Sequence, residues 1–287
     1  MTTFAFLGPQ GTYSDEAARL FAQSVGTGSE APAFAECATI TEVFAAVGAG
    51  EADFGVVPIE NSLEGSVNTT LDELAFGRKV LILGEKLLDI HHCVAVASGS
   101  SKQDITTVVS HPQATGQCAQ WISHSLPGRP IVAANSTADA VRQAVEHPGY
   151  AAIASVFAAE LYGADILECS IEDHANNQTL FALIASEEVA ASWQKAGRDP
   201  LALYKTSVAL FQQKNRPGAL LMILSEFAYA GINLTRIQSR PTKQAMGEYM
   251  FFLDFEGHEG DPEIQIALES LRLKLREVKV LGSYPAA

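Results

Sequence analysis

Basic side chains are scarce in this chain of 287 residues: 19 Lys and Arg stand against 33 Asp and Glu, for a formal net charge of −14. No stretch gathers Lys or Arg into a stripe, so nucleic acid and anionic membrane surfaces are poor partners. An anionic ligand would need local donors acting against the global field. Cysteine is equally sparse. Cys37, Cys93, Cys118 and Cys169 are scattered without C-x-x-C spacing in apolar surroundings, which fits reduced core thiols in a cytoplasmic protein and argues against disulfides or zinc. The adjacent His91 and His92 lack a third ligand at recognisable spacing, so they are expected to be structural residues on a strand and no metal is expected. No uninterrupted apolar run reaches the roughly 18 residues of a membrane span. Met1-Thr2-Thr3-Phe4 lacks a basic region ahead of an apolar core, so no export or anchoring signal is expected. Gly8 and Gly11 open the backbone for an anion but form neither a Walker A loop nor a dinucleotide fingerprint, which removes nucleotide binding from the reading. There is no coiled-coil heptad pattern and no low-complexity run.

What is present is a substantial apolar fraction, 47% of residues, in a chain long enough for about two domains. Up to residue 186 the pattern alternates short apolar runs with amphipathic stretches. Strands are expected at 4–7, 33–37, 54–59, 105–109, 131–134, 151–154, 166–169 and 179–185, with an extended run over 80–97. Helices are expected over 15–22, after the capping box Thr39-Ile40-Thr41-Glu42, from Ser66 to near Gly77, from Pro112 to about His124, after Ser136 and after Ser155. Such alternation implies a mostly parallel α/β arrangement with helices on both faces. The chain is organised around Val56-Val57-Pro58-Ile59-Glu60-Asn61-Ser62-Leu63-Glu64-Gly65-Ser66-Val67, where a buried strand stops in polar side chains and Ser66 is expected to cap the next helix. Ligands bind at such strand ends, because loops and positive helix N-termini converge there. The strand-loop-helix device recurs at Gly8–Ser14, at Ser110–Gln117 and at Ser155.

Residues 187–202 are polar and Ala-rich and are expected to form a linker. Beyond it the order strand, helix, strand, strand, helix, strand fills about 80 residues, the ferredoxin-like βαββαβ pattern.

Several motifs in the right order resemble the prephenate dehydratases: Gly8-Pro9-Gln10-Gly11-Thr12-Tyr13-Ser14, the Val57–Val67 stretch, Ser110-His111-Pro112-Gln113-Ala114 with Gln117, and Asn177-Gln178-Thr179-Leu180-Phe181. The C-terminal part resembles that family's regulatory ACT domain through Lys214–Leu220, Gly231-Ile232-Asn233-Leu234, Gln238-Ser239-Arg240-Pro241 and Gly247-Glu248-Tyr249. The resemblance covers nearly the whole chain, with two departures: the family's Thr-Arg-Phe is Thr179-Leu180-Phe181 here, and its Glu-Ser-Arg-Pro is Gln238-Ser239-Arg240-Pro241. It implies a two-lobed catalytic domain like the type II periplasmic binding proteins over 1–186, with one lobe at about 1–78 plus 168–186 and the other at about 79–167. An ACT domain over 203–287 would follow. It also implies conversion of prephenate to phenylpyruvate, feedback regulation by phenylalanine, and a homodimer or homotetramer formed through the ACT domains. No N-terminal helical chorismate mutase domain is expected, since strand-like sequence begins at Phe4.

The same resemblance assigns roles to residues. Thr179 would contact the leaving hydroxyl, with Asn61, Ser110 and Gln117 positioning the substrate. A Thr hydroxyl is a poor acid, which makes Glu60 or Glu64 in a desolvated cleft the candidate on chemical grounds for any true proton donor. Thr12, Tyr13, Ser14, Ser62, Glu64, Gly65, Ser66, His111, Thr115, Ser155 and Phe181 would contact the substrate. Arg216, Gly218, Ala219, Leu220 and Asn233, with Gln238, Ser239, Arg240 and Pro241, would hold the effector. No cofactor is required, because the ring gains aromaticity as it loses CO2 and hydroxide, so orientation and hydrogen-bond donors suffice. Read without the resemblance, Thr179 is a strand residue with a satisfied hydroxyl, Asn61 and Ser62 are loop formers, and Ser110 is a helix cap. Two other functions stay open: a two-lobed sensor without turnover, and an arogenate dehydratase.

Overall fold

A computed structural model describes residues 1–25, 30–195, 198–199, 201–212, 217–243 and 248–287. The first lobe begins β1 (Thr3–Leu7), α1 (Tyr13–Val25), β2 (Ala33–Cys37), α2 (Ile40–Ala49), β3 (Phe54–Asn61), β4 (Gly65–Ser66), α3 (Asn68–Phe76) and β5 (Val80–Asp89). Local signals set these elements. Thr39 accepts a bond from the Glu42 amide at 3.1 Å to open α2, and Gly50, at φ 73°, closes it as a left-handed cap. α1 carries Asp15 and Glu16 in its first turn, where the helix dipole favours them, and buries Ala17, Ala18, Phe21 and Ala22 along one face.

The second lobe comprises β6 (Cys93–Val96), β7 (Thr107–Ser110), α4 (Pro112–Gln117), α5 (Ala119–Ser125), β8 (Ile131–Ala133), α6 (Thr137–Glu146), β9 (Tyr150–Ala154), α7 (Val156–Tyr162) and β10 (Asp165–Cys169). Ser136 and Ser155 cap α6 and α7 through the amides of Asp139 and Ala158. Strand alternation divides its core. Cys93, Ala95, Ala152 and Ala154 face one way, onto the small residues of α6 and α7, while Val94, Val96, Ala151 and Ile153 face the other, toward Cys118, Ile122 and Leu126. β11 (Gln178–Ser186) then returns to the first sheet, whose order is β2-β1-β3-β11-β5, with β1 parallel to both β2 and β3. The second sheet runs β10-β6-β9-β7-β8, parallel where β7 meets β8 and β9, and antiparallel where β6 meets β9 and β10.

The C-terminal region contains α8 (Glu187–Lys195), β12 (Tyr204–Phe211), α9 (Ala219–Tyr229), β13 (Leu234–Pro241), β14 (Tyr249–Glu256), α10 (Pro262–Lys274) and β15 (Glu277–Pro285). From β12 onward this is the expected βαββαβ order. Its antiparallel sheet runs β13-β14-β12-β15, and Val208, Leu210, Leu253 and Phe255 pack with Ile223, Phe227, Leu268 and Leu271. Chain contacts define two compact units, residues 1–70 with 86–181, and residues 71–85 with 182–287. No helix among the described residues is long and apolar enough to cross a membrane.

The structure corrects several expectations. The lobes exchange near residue 90 and again after 169, not at 79 and 167, because β5 belongs to the first sheet and β10 pairs with β6 in the second. The extended run over 80–97 is two strands in different sheets. Ser66 lies on a short strand, where it pairs with Glu60 in a hairpin, and α3 begins two residues later at Asn68, not near Val67. The helix expected over 112–124 breaks at Cys118. The expected linker carries α8, whose start Ser186-Glu187-Glu188 has a hydroxyl accepting from the Val189 amide at 3.3 Å. Cys93 and Cys118 are buried, but Cys37 is only half-buried and Cys169 is exposed.

Candidate active site

A cavity of about 460 Å³ lies in the first unit, with walls from both lobes. The β1–α1 turn supplies Thr12, Tyr13 and Ser14, and the hairpin after β3 supplies Asn61, Glu64, Gly65 and Ser66. That hairpin pairs Asn61 with Gly65 across three residues, and Gly65 takes φ 79°, a left-handed conformation suited to glycine at this turn position. The second lobe contributes His111, Gln113 and Gln117 around α4, and Asn135, Ser136 and Thr137 at the start of α6. The two crossover segments add Ile90, His92, Asn177 and Thr179.

Asn61 is the hub. Its Oδ1 accepts from the Leu63 and Glu64 amides, each at 3.0 Å. Its Nδ2 donates to Thr179 Oγ1 at 2.8 Å, to Asn177 Oδ1 at 2.8 Å and to the Gln178 carbonyl at 3.1 Å. Asn177, buried, donates in turn to Gln117 Oε1 at 3.2 Å, and the same oxygen lies 3.0 Å from His92 Nε2. These bonds tie β3, the second crossover, α4 and the first crossover into one polar seam.

The electrostatics are those of neutral donors. Among the described residues no Arg or Lys lines the cavity, and Glu64, its carboxylate, is exposed. Burial lowers the His92 pKa, so the imidazole is neutral near pH 7. Burial, aided by nearby Glu16, pushes the Tyr13 phenol up, so it remains a donor, and it bonds to the His91 carbonyl. Burial alone would raise Glu172, but bonds from the His91 ring and the His92 amide outweigh it and hold that carboxyl low. The first turns of α1 and α6 border the cavity from opposite lobes and offer main-chain N–H groups with the positive ends of their dipoles.

Ten residues singled out from sequence meet here: Thr12, Tyr13, Ser14, Asn61, Glu64, Gly65, Ser66, His111, Gln117 and Thr179. Others lie outside the lining. Ser110 is fully buried and donates to the Ile153 carbonyl at 2.6 Å, joining β7 to β9. Glu60 pairs with Ser66 in the hairpin. Ser62 Oγ donates to the Asn176 carbonyl, Thr115 Oγ1 to the Pro112 carbonyl, Ser155 caps α7, and Phe181 is core. His92, expected to be a structural residue on a strand, lies between β5 and β6 and lines the cavity, and Asn135 and Asn177 were missed because an adjacent polar pair at a strand end is too common to single out.

The suggested effector residues belong to the second unit. Gly218 precedes α9, at φ 80°, followed by buried Ala219 and exposed Leu220. Asn233 donates to Glu256 at 2.8 Å. Gln238, Ser239, Arg240 and Pro241 lie on β13, the sheet's edge strand, where Gln238 and Arg240 alternate with exposed Ser239 and Pro241. Gln238 accepts from Arg236, and Arg240 pairs with Asp72 at 2.7 Å. Arg216 lies outside the described residues.

Fold and site together define a two-lobed α/β protein with a polar cleft, followed by a ferredoxin-like domain. The family model for prephenate dehydratase matches residues 4–189, and that for the ACT domain matches residues 207–273. The chain is 39% identical over 292 residues to the prephenate dehydratase of Mycolicibacterium gilvum (strain PYR-GCK), covering 99% of this chain and 91% of that protein. The structure of prephenate dehydratase from Arthrobacter aurescens in complex with L-Phe superposes with a TM-score of 0.84 at 34% identity, covering 99% of this chain and 90% of that one. GqqA, described as a novel type of quorum quenching acylase, superposes with a TM-score of 0.84 at 30% identity, covering 99% of this chain and 98% of its own. The chain belongs to the prephenate dehydratase family.

Proposed function

We propose that the protein converts prephenate to phenylpyruvate in the cavity around Asn61 and Thr179, for phenylalanine biosynthesis in the cytoplasm. The observation that carries this reading is the Asn61–Thr179 bond at the wall of a cavity lined by neutral donors. Thr179 Oγ1 accepts from Asn61, so its own proton is available to an oxygen in the cavity. Prephenate is a dianion. As its ring carboxylate leaves as CO2, the bonding electrons move into the ring and the ring hydroxyl departs, taking up a proton to become water. Thr179 stabilises that departing oxygen, Gln117 and Asn61 hold it in register, and the first turns of α1 and α6 meet the carboxylates. Glu64 is exposed, which does not suit a desolvated acid, and solvent serves as the final proton source. This chemistry runs without a metal or organic cofactor.

The ACT region would bind phenylalanine near Gly218–Leu220 and the Gln238–Pro241 segment and would assemble the protein as a dimer or tetramer. The catalytic region would extend over residues 1–186 and the regulatory one over 203–287. The likeness to GqqA makes acyl transfer the competing chemistry. Thr179, however, is bonded by an amide nitrogen rather than by a general base, which suits donation rather than nucleophilic attack. Incubating purified protein with prephenate near neutral pH should produce phenylpyruvate well above the spontaneous rate. Binding of prephenate without product would favour the sensor, and turnover of arogenate alone would move the assignment to that substrate.

A further inference from the structure

We propose that His92 is a positioning residue: at the end of the hydrogen-bond seam in the cavity wall its Nε2–H holds the Gln117 amide so that Gln117, beside Thr179, presents a donor to the substrate. The direction can be followed link by link from the main chain. The Leu63 and Glu64 amides can only donate, and both reach Asn61 Oδ1 at 3.0 Å, so the other end of that amide is its nitrogen. Asn61 Nδ2 donates to Thr179 Oγ1 and Asn177 Oδ1, both at 2.8 Å. Asn177 is thereby turned with its nitrogen toward Gln117, whose Oε1 accepts at 3.2 Å. That oxygen also faces His92 Nε2 at 3.0 Å, and only an N–H there completes a bond. His92 is therefore the neutral Nε2–H tautomer, with Nδ1 buried and without a hydrogen-bond partner among the described residues.

Two donors follow from this order. Gln117 lines the cavity, and with its oxygen committed twice its nitrogen is the end left for a ligand. Thr179 has its oxygen engaged by Asn61, which frees its proton. Turning Gln117 over would replace a donor by an acceptor: the Asn177 N–H would then meet an N–H, and the His92 proton would have to move to Nδ1, where no described residue accepts it. The ring is 3% exposed and neutral near pH 7, so solvent does not compete for the bond. This role rests on the dehydratase reading of the cavity, in which the substrate's oxygens need donors.

Long-range ¹H–¹⁵N correlation of the imidazoles in the intact protein tests the wiring without any turnover. The protein has seven histidines, and the His92 signal is the one lost in His92→Gln. An Nε2–H pattern is expected, and an Nδ1–H pattern overturns the proposal. Kinetics separate positioning from space filling. His92→Gln can still place an N–H toward Gln117 and should keep kcat within about threefold, whereas His92→Phe fills the space without a donor and should lose about tenfold or more in kcat with little change in KM. The opposite order, Phe tolerated and Gln not, means that the ring only packs. An Nε2–H pattern in a protein that leaves prephenate untouched would remove the reaction assigned above while upholding the wiring.

Discussion

Asn61→Asp changes one atom of the hub and keeps its shape. The new carboxylate can accept from the Leu63 and Glu64 amides as before, but the former Nδ2 becomes an oxygen facing three acceptors: Thr179 Oγ1 at 2.8 Å, Asn177 Oδ1 at 2.8 Å and the Gln178 carbonyl at 3.1 Å. Thr179 can adapt by turning its hydroxyl, but turning the Asn177 amide would set its Oδ1 against Gln117 Oε1. The Gln178 carbonyl cannot adapt either, so about two repulsive contacts remain, each costing about 1–3 kcal/mol of stability. For the reaction the change is larger. Thr179 then donates to the introduced carboxylate instead of to the departing oxygen, and losing one such donor costs about 10²–10³ in kcat. The new charge also faces a dianion, so KM should rise. The assay is phenylpyruvate formation by purified protein, with circular dichroism and a thermal melt to show that the variant is folded. A folded Asn61→Asp variant with kcat within about threefold of the wild type would refute the claim that this amide directs the Thr179 proton.

Thr179→Ala should lower turnover at least about a hundredfold while the protein stays folded, and Thr179→Ser should recover most of it; equal activity in both variants would remove the hydroxyl from the mechanism. Leu180 is half-buried and outside the cavity lining, while Thr179 and Phe181 on either side are buried on the opposite face of β11, so Leu180→Arg should change turnover by less than about tenfold. Conversion of an inactive protein into an efficient enzyme by Leu180→Arg would contradict that geometry. Asp72 is partly buried, which alone would raise its pKa, but bonds from Lys243 and Arg240 outweigh this and hold the carboxyl low. A depressed folded pKa adds stability that is full above the ordinary carboxylate value of about 3.9 and fades as pH falls from there through the folded value, so Asp72→Asn should lower Tm near pH 7, and the gap to wild type should shrink only as the pH falls below about 3.9. Phenylalanine should raise Tm and inhibit turnover, and calorimetry without heat together with unchanged activity would reject it as the effector.

Local signals were legible in the sequence. Thr39, Ser136 and Ser155 cap helices because a side-chain oxygen two or three residues ahead of a main-chain amide needs no tertiary context. The strand from Phe54 was legible as an apolar run, expected to stop at Ile59 although it continues to Asn61, and the alternation that turns Leu180 away from Thr179 follows from period-2 reasoning. What was not legible depends on pairing at long range. Ser66 has the composition of a cap, but pairing with Glu60 takes it into a hairpin. Residues 80–97 have one continuous strand pattern, and only the partners of β5 and β6 divide it between two sheets. Ser110 resembles a site hydroxyl until its 2.6 Å bond to Ile153 places it in the core. Asn177 and His92 gain their roles only when segments 116 and 25 residues away, carrying Asn61 and Gln117, are brought beside them.

The central claim is that Thr179, directed by Asn61, assists loss of the ring hydroxyl from prephenate. Single-turnover measurement of CO2 and phenylpyruvate release by wild type and by the near-isosteric Thr179→Val variant, at saturating enzyme, tests it most directly. Wild type should release both products together, and the variant should bind prephenate with similar affinity but release them at least about a hundredfold more slowly. Equal rates in the two proteins, or no product from wild type, would contradict the account.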